Sequence, residues 1–171
     1  MFNPREIMQS RRDAVREREL KAWLRTRSDD ERFEFISSCL EYRGYPEEHL
    51  ALQIATACIS CKADAHRILE LGMADPDASS IKFWLDFAIR KLGSRAVIRR
   101  IAYQIDTNPD VVDKALYWLP SLVPKSEDGA RSALKELHRE AKSRNIIRGA
   151  QMTAQSDGTV LFSNVHPENR S

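Results

Sequence analysis

Three prolines, at positions 46, 76 and 109, each stand at the head of a stretch whose apolar residues recur every three to four positions. A proline in the first helical turn costs nothing, because the N–H it lacks has no partner there and its fixed φ already suits the helix. These starts are 30 and 33 residues apart, Trp84 and Trp118 are 34 apart, and two intervening starts, at Ser94 and Ser126, are 32 apart. That period is the length of a helix, a turn, a second helix and a return. A hairpin of this size cannot bury its apolar face alone, so neighbouring pairs have to share a core. The phrases PDASSIKFWL from Pro76 and PDVVDKALYWL from Pro109 repeat the scheme closely, opening on Pro-Asp and closing on aromatic-Trp-Leu. An irregular helical bundle meets the same observations, since Pro-Asp is ordinary chemistry at a helix start.

The apolar stripes agree with these boundaries. Trp84, Leu85, Ala88 and Leu92 follow Ile81 at helical spacing; Ile101, Ala102 and Ile105 follow Ile98; Ala115, Leu116 and Leu119 follow Val112; Ala133, Leu134, Leu137 and Ala141 follow Ala130. Asn3-Pro4 and Ser28-Asp-Asp-Glu31 supply two further starts, the second with capping-box spacing, and Gly44 can close the helix that Ser28 opens. Eight helices are expected, near 4–26, 29–43, 46–61, 64–71, 77–92, 95–106, 109–119 and 127–145. The first alternates basic with acidic residues over a broken apolar face, which suits a solvated cap on the end of a helix stack or a self-association surface.

The expected fold is therefore all-α: stacked antiparallel helical hairpins, as a short α-solenoid or an irregular bundle, with a short C-terminal extended or hairpin tail. Residues 1–145 form the helical domain, with an N-terminal helical pair over 1–43 and repeat-like hairpins over 46–145. Residues 146–171 lose helical periodicity, and Asp157-Gly158 is a favoured two-residue hairpin turn just before the β-prone run Val160-Leu161-Phe162. A lone hairpin is marginal in water. The tail is either loosely held or docked on a surface.

Over residues 46–145 the chain resembles the HEAT-like class of α-helical repeats. The resemblance is carried by Asn108-Pro-Asp-Val-Val-Asp-Lys-Ala-Leu and Ser126-Glu-Asp-Gly-Ala-Arg-Ser-Ala-Leu, which are similar to the acidic turn, the small-and-valine opening and the alanine-leucine stripe of those repeats. Val112-Asp113 stands where the class carries Val-Arg, and Pro120 to Pro124 takes the place of a clean inter-helix turn. The resemblance implies a curved scaffold that binds proteins or, less often, nucleic acid, and it designates no catalytic residue.

With 171 residues, 42% of them hydrophobic, the chain can bury a substantial core. Its 27 basic and 25 acidic residues nearly cancel, so net charge alone points to no polyanionic partner. Charge is nevertheless segregated along the chain: residues 1–27, 82–105 and 131–148 are net basic, while 28–81 and 106–130 are net acidic. No apolar run approaches the roughly 20 residues of a membrane span, and the opening MFNPREIMQSRR lacks the apolar core of a signal peptide. Three cysteines suit reduced thiols better than a disulfide framework. A cytoplasmic location and no membrane association are the expectations.

Cys58-Ile-Ser-Cys61, with His66 nearby and Cys39 and His49 elsewhere, has the spacing of half a zinc site. A second CxxC is absent, and the pair falls on a stripe with Leu50, Ile54 and Ala57. Core packing accounts for both sulfurs. A reactive dithiol needs a helix N-terminus, whereas these cysteines are expected toward the end of their helix. No nucleophile elbow, Walker loop or dinucleotide-binding glycine motif occurs, and His49, His66, His138 and His166 are scattered. No catalytic residue, metal or cofactor is expected.

Basic residues carry the remaining signal. Arg131, Lys135 and Lys142, with His138 between them, are expected on one face of the last long helix, opposite its apolar stripe, and Arg95, Arg99 and Arg100 on the polar side of the sixth. If alternate helices line one side of the stack, these six residues form a positive strip; otherwise they are solvated faces and intrahelical ion pairs. The strip points to a non-enzymatic protein–protein interaction module, as an adaptor, assembly subunit or neutralising partner, that meets another protein with an acidic surface. Trp84, Phe87, Tyr103, Tyr117 and Trp118 are the possible anchors. The alternative is a nucleic-acid-binding helical protein using the same strip. Trp84 with Asp86 also invites comparison with the aromatic-carboxylate pairing of helical-repeat DNA glycosylases, but their positions place Trp84 on the core stripe and Asp86 away from it.

Overall fold

Ser28 opens its helix with a reciprocal cap. Its Oγ accepts the Glu31 N–H at 3.3 Å, and the Glu31 carboxylate accepts the Ser28 N–H at 2.9 Å. The bond from the Ser28 backbone, then that from its hydroxyl, hold the Glu31 carboxyl below the usual glutamate range. Asn108 acts in the same way further on, its Oδ1 accepting the Val111 N–H at 3.4 Å ahead of Pro109. Punctuation of this kind divides the computed structural model, which describes residues 2–9, 14–41, 45–74, 80–147, 150–154 and 160–164, into nine helices and two strands among those residues. The helices are α1 (Pro4–Gln9), α2 (Ala14–Arg25), α3 (Asp29–Leu40), α4 (Tyr45–Cys58), α5 (Lys62–Ala74), α6 (Ile81–Leu92), α7 (Ser94–Ala102), α8 (Pro109–Leu122) and α9 (Asp128–Ser143). The strands are β1 (Ala150–Ala154) and β2 (Val160–Asn164). The fold is all-helical apart from that strand pair.

Several boundaries differ from those expected. The first helix is described as α1 and α2, with the residues between them outside the described set. Cys61 is not at the end of α4 but directly before α5, where its carbonyl accepts the Ala65 N–H at 3.1 Å. Helix α4 therefore ends at Cys58, three residues earlier than the apolar stripe implied. Helix α8 continues through Pro120 to Leu122, because a proline in the last turn removes a single ladder bond. Ser126 is not the cap of α9; Glu127 holds that position, with no side-chain cap bond. Gly44, Pro76 and Asp157-Gly158 lie outside the described residues.

The chain divides into two compact units, Met1–Val97 and Ile98–Ser171. In the first, α5 packs on α6, α3 on α4, and α1 on α3, while α4 also packs on both α6 and α2. Gly72 of α5 lets the Trp84 indole of α6 lie against its backbone, since a Cβ there would overlap three of the indole carbons. Trp84 is 3% exposed as a result. At the other end of the unit, Trp23 stacks edge-on against Phe35 at 5.5 Å and meets Phe2 at 5.6 Å. Arg32 fastens three segments: it donates to the carbonyls of Arg27 (3.1 Å), Ser28 (3.3 Å) and Cys58 (3.0 Å) and pairs with Asp29 at 2.9 Å. The Cys58 carbonyl is the last of α4, one that its own helix leaves unbonded. Gly93 joins α6 to α7 in one residue at φ 86°, a conformation that side chains rarely adopt.

In the second unit, α8 packs on α9. Arg144, just past the end of α9, pairs with Asp106, just before the start of α8, so the two helices run antiparallel. Val112, Ala115, Leu116 and Leu119 of α8 and Ala130, Leu134, Leu137 and Ala141 of α9 are buried. Each leucine contributes about 1.5–3 kcal/mol by leaving water. Strands β1 and β2 pair antiparallel, with Ala150 opposite Asn164 and Ala154 opposite Val160. No helix among the described residues is long and apolar enough to cross a membrane.

Candidate functional site

The buried stripe of α9 fixes where its charges go. At about 100° per residue, Arg131, Lys135, His138 and Lys142 fall within an arc of about 60°. That arc is centred about 100° from the buried stripe, so the row runs along the border of the buried face and not opposite it, as expected from the sequence. Burial follows: Arg131 and His138 are half-buried, Lys135 and Lys142 exposed. Two acids of this helix lie elsewhere on its circumference and are engaged, Glu136 with Arg139 at 3.1 Å and Glu140 with Arg144 at 2.8 Å, while the third, Asp128, stands in the first turn beside the row. Arg131, Lys135 and Lys142 make no ion pair among the described residues. Burial, and then the neighbouring Lys142 charge, push the His138 imidazole below its ordinary value.

The other three expected site residues do not share one face of α7. Arg95 and Arg99, four residues apart, are exposed on one side of α7. Arg100 is half-buried about 100° further round, because Ser94, Val97, Ile98 and Ile101 take the buried face. Arg95 belongs to the first unit and the other five to the second. Of the aromatic anchors, Trp84 and Phe87 are core residues. Tyr103 and Tyr117 are 69% and 47% exposed, and Tyr117 meets the Trp118 ring edge-on at 4.8 Å.

The cysteines are packed differently from one another. Cys39 and Cys58 are buried and Cys61 half-buried, all as free thiols. Burial pushes the Cys39 thiol up to about 12. Burial also raises that of Cys58, against the pull of Arg25, Lys21, Arg32 and Lys91. The Cys58 S–H points at the Lys21 carbonyl, 3.9 Å away. A thiol held protonated in this way is a poor nucleophile and a poor ligand. No group of three or more His, Cys, Asp or Glu among the described residues is placed to hold a metal ion.

One feature of the first unit escaped sequence reading. A cleft of about 470 Å³ opens over α4, between α2 and α6. Glu17 and Lys21 of α2 face it as a pair at 2.5 Å, and Asp86 and Arg90 of α6 as a pair at 2.9 Å. Between them His49 of α4 lies against Phe83 of α6, ring centroids 4.5 Å apart, and shares a 3.3 Å hydrogen bond with the Gln53 amide. Asp86 thus faces a cleft and Trp84 the core, as their spacing on the helix demands. Each i,i+4 pair taken alone is ordinary helix decoration. That they share a cleft depends on inter-helix register, which a single sequence does not carry. Comparison of the chain with models of known families, with curated proteins and with solved structures found no match.

Proposed function

We propose that the chain is a non-enzymatic binding module, built of helical hairpins laid side by side, whose α9 row holds an acidic surface of another protein. The hairpin reading is supported by the packing of α3 on α4 and α5 on α6, with α2, α4 and α6 in successive contact. The single observation behind the binding reading is that Arg131, Lys135 and Lys142 line one edge of α9 without an ion pair among the described residues, while Glu136 and Glu140 of that helix pair elsewhere. Cations left without acidic partners are those an incoming carboxylate can use without first breaking a pair. Exposed Tyr103 and Tyr117 lie in the same unit and supply aromatic contact area of the kind found at interface centres. Adaptor, assembly and neutralising roles all use such a surface.

The same row also suits a phosphate backbone, which is the second reading. Three cations neutralising three phosphates give a log–log salt slope of about −2.7. Fluorescence anisotropy with a labelled glutamate-rich peptide and a labelled DNA duplex, at low and moderate salt, separates the two. The protein reading expects the peptide to bind more tightly than the duplex, with the affinity lost in the triple variant Arg131→Glu, Lys135→Glu, Lys142→Glu. Tighter duplex binding with the steep slope establishes the second reading. Equal binding by wild type and triple variant removes both.

A further inference from the structure

The cleft over α4 lies in the first unit, apart in sequence from the α9 row, and nothing in the proposed function uses it. Its lining decides what it can hold. Glu17 and Asp86 balance Lys21 and Arg90, so a polyanion or a polycation entering it meets as much repulsion as attraction. An apolar helix is equally poorly served, because Leu52 and Phe87, which form the floor, are 2% and 1% exposed and have almost no area left to bury. What remains is a balanced set of poles beside an aromatic surface. The volume, about 470 Å³, is within the range of small-ligand sites.

The two acid–base pairs differ in availability. Glu17 and Lys21 are 28% and 25% exposed in their side chains and closely paired, so they act as a closed wall. Asp86 and Arg90 are 42% and 63% exposed. An exposed pair of this kind contributes little to stability, so its two groups can exchange each other for a ligand's ammonium and carboxylate at small cost. The Arg90 fork matches a carboxylate in two-point geometry, and Asp86, one turn away, accepts from an ammonium. Next to them, Phe83 with His49 presents a ring surface on which an aromatic group can lie.

We propose that this cleft binds a small zwitterionic ligand with an aromatic group, either a free aromatic amino acid or a di- or tripeptide that contains one. Asp86 and Arg90 hold the charged ends, and Phe83 and His49 hold the ring.

Isothermal titration of the full chain tests this with four probes: L-phenylalanine, L-alanyl-L-phenylalanine, N-acetyl-L-phenylalanine amide and phenylacetate. Either zwitterion is expected to bind, with the tighter of the two identifying the source, and the uncharged amide and the simple anion to bind at least about tenfold more weakly, the loss expected when one charged hydrogen bond is removed. The double variant Asp86→Asn, Arg90→Gln, whose side chains are exposed enough to leave the fold intact by circular dichroism, is expected to lose zwitterion binding by at least about tenfold as well. Phe83→Leu tests the ring surface, with phenylalanine expected to lose its advantage over alanine. No binding of either zwitterion up to about 10 mM overturns the proposal. So does equal binding by the neutral amide, or undiminished binding by the double variant.

Discussion

Gly72→Ala sets helix propensity against packing, and the close approach of α5 to α6 decides the sign. In a helix interior alanine is preferred over glycine by about 1 kcal/mol. At position 72, however, the added methyl would overlap three carbons of the Trp84 indole. That indole is 3% exposed and has no open side to turn to. Forcing a methyl into a filled core costs about 1–3 kcal/mol, and overlap with a rigid ring belongs at the upper end. The net expectation is a destabilisation of about 2 kcal/mol, from the difference of these two terms. Urea unfolding followed by circular dichroism measures it, with a lower midpoint at unchanged slope. In a Trp84→Leu background the clash is gone, so the same substitution should cost less than about 0.5 kcal/mol or become stabilising, a coupling of about 1.5 kcal/mol or more in a double-mutant cycle. Stabilisation by Gly72→Ala in the parent, or an equal cost in both backgrounds, would refute the reasoning.

Three further outcomes can be checked with the same equipment. Arg32→Met keeps the aliphatic stem but strips the carbonyls of Arg27 and Cys58 of their charged donor, with an expected loss of roughly 2–3 kcal/mol in urea unfolding. His138 takes its proton less readily folded than unfolded. Its contribution to stability is therefore complete above the unfolded value near 6.5 and is lost as pH falls through the depressed folded value. His138→Gln should flatten the parent's decline in unfolding midpoint over that window, and an identical profile in both proteins would contradict it. Iodoacetamide on the native protein should modify Cys61 well before Cys39 or Cys58, which are buried with raised thiol pKa values; peptide mapping by mass spectrometry distinguishes the three.

Helix starts were the most legible part of this chain because their causes are local. The Ser28–Glu31 capping box and the Asn108-Pro109 start act within one turn, and both stand where the sequence places them. Helix ends were harder. Cys61 shares the apolar character of the α4 stripe, yet it precedes α5, since composition does not say where one helix stops and the next begins without a glycine or proline between them. Pro120 misled in the opposite sense, as a breaker that the last turn of α8 tolerates. The α9 stripe was read correctly as buried, but the basic row was assigned to the far side when it borders the stripe. The cleft depends on register between α2, α4 and α6, which are tens of residues apart in sequence, and no local signal encodes it.

The central claim is that the α9 row is a protein-binding surface. Its most direct measurement is recovery of bound protein from native extract on immobilised parent and on the Arg131→Glu, Lys135→Glu, Lys142→Glu variant side by side, at low and moderate salt. The account predicts an acidic protein retained by the parent, weakened by salt and absent from the variant. The same proteins retained on both, or nucleic acid alone retained by the parent, would contradict it.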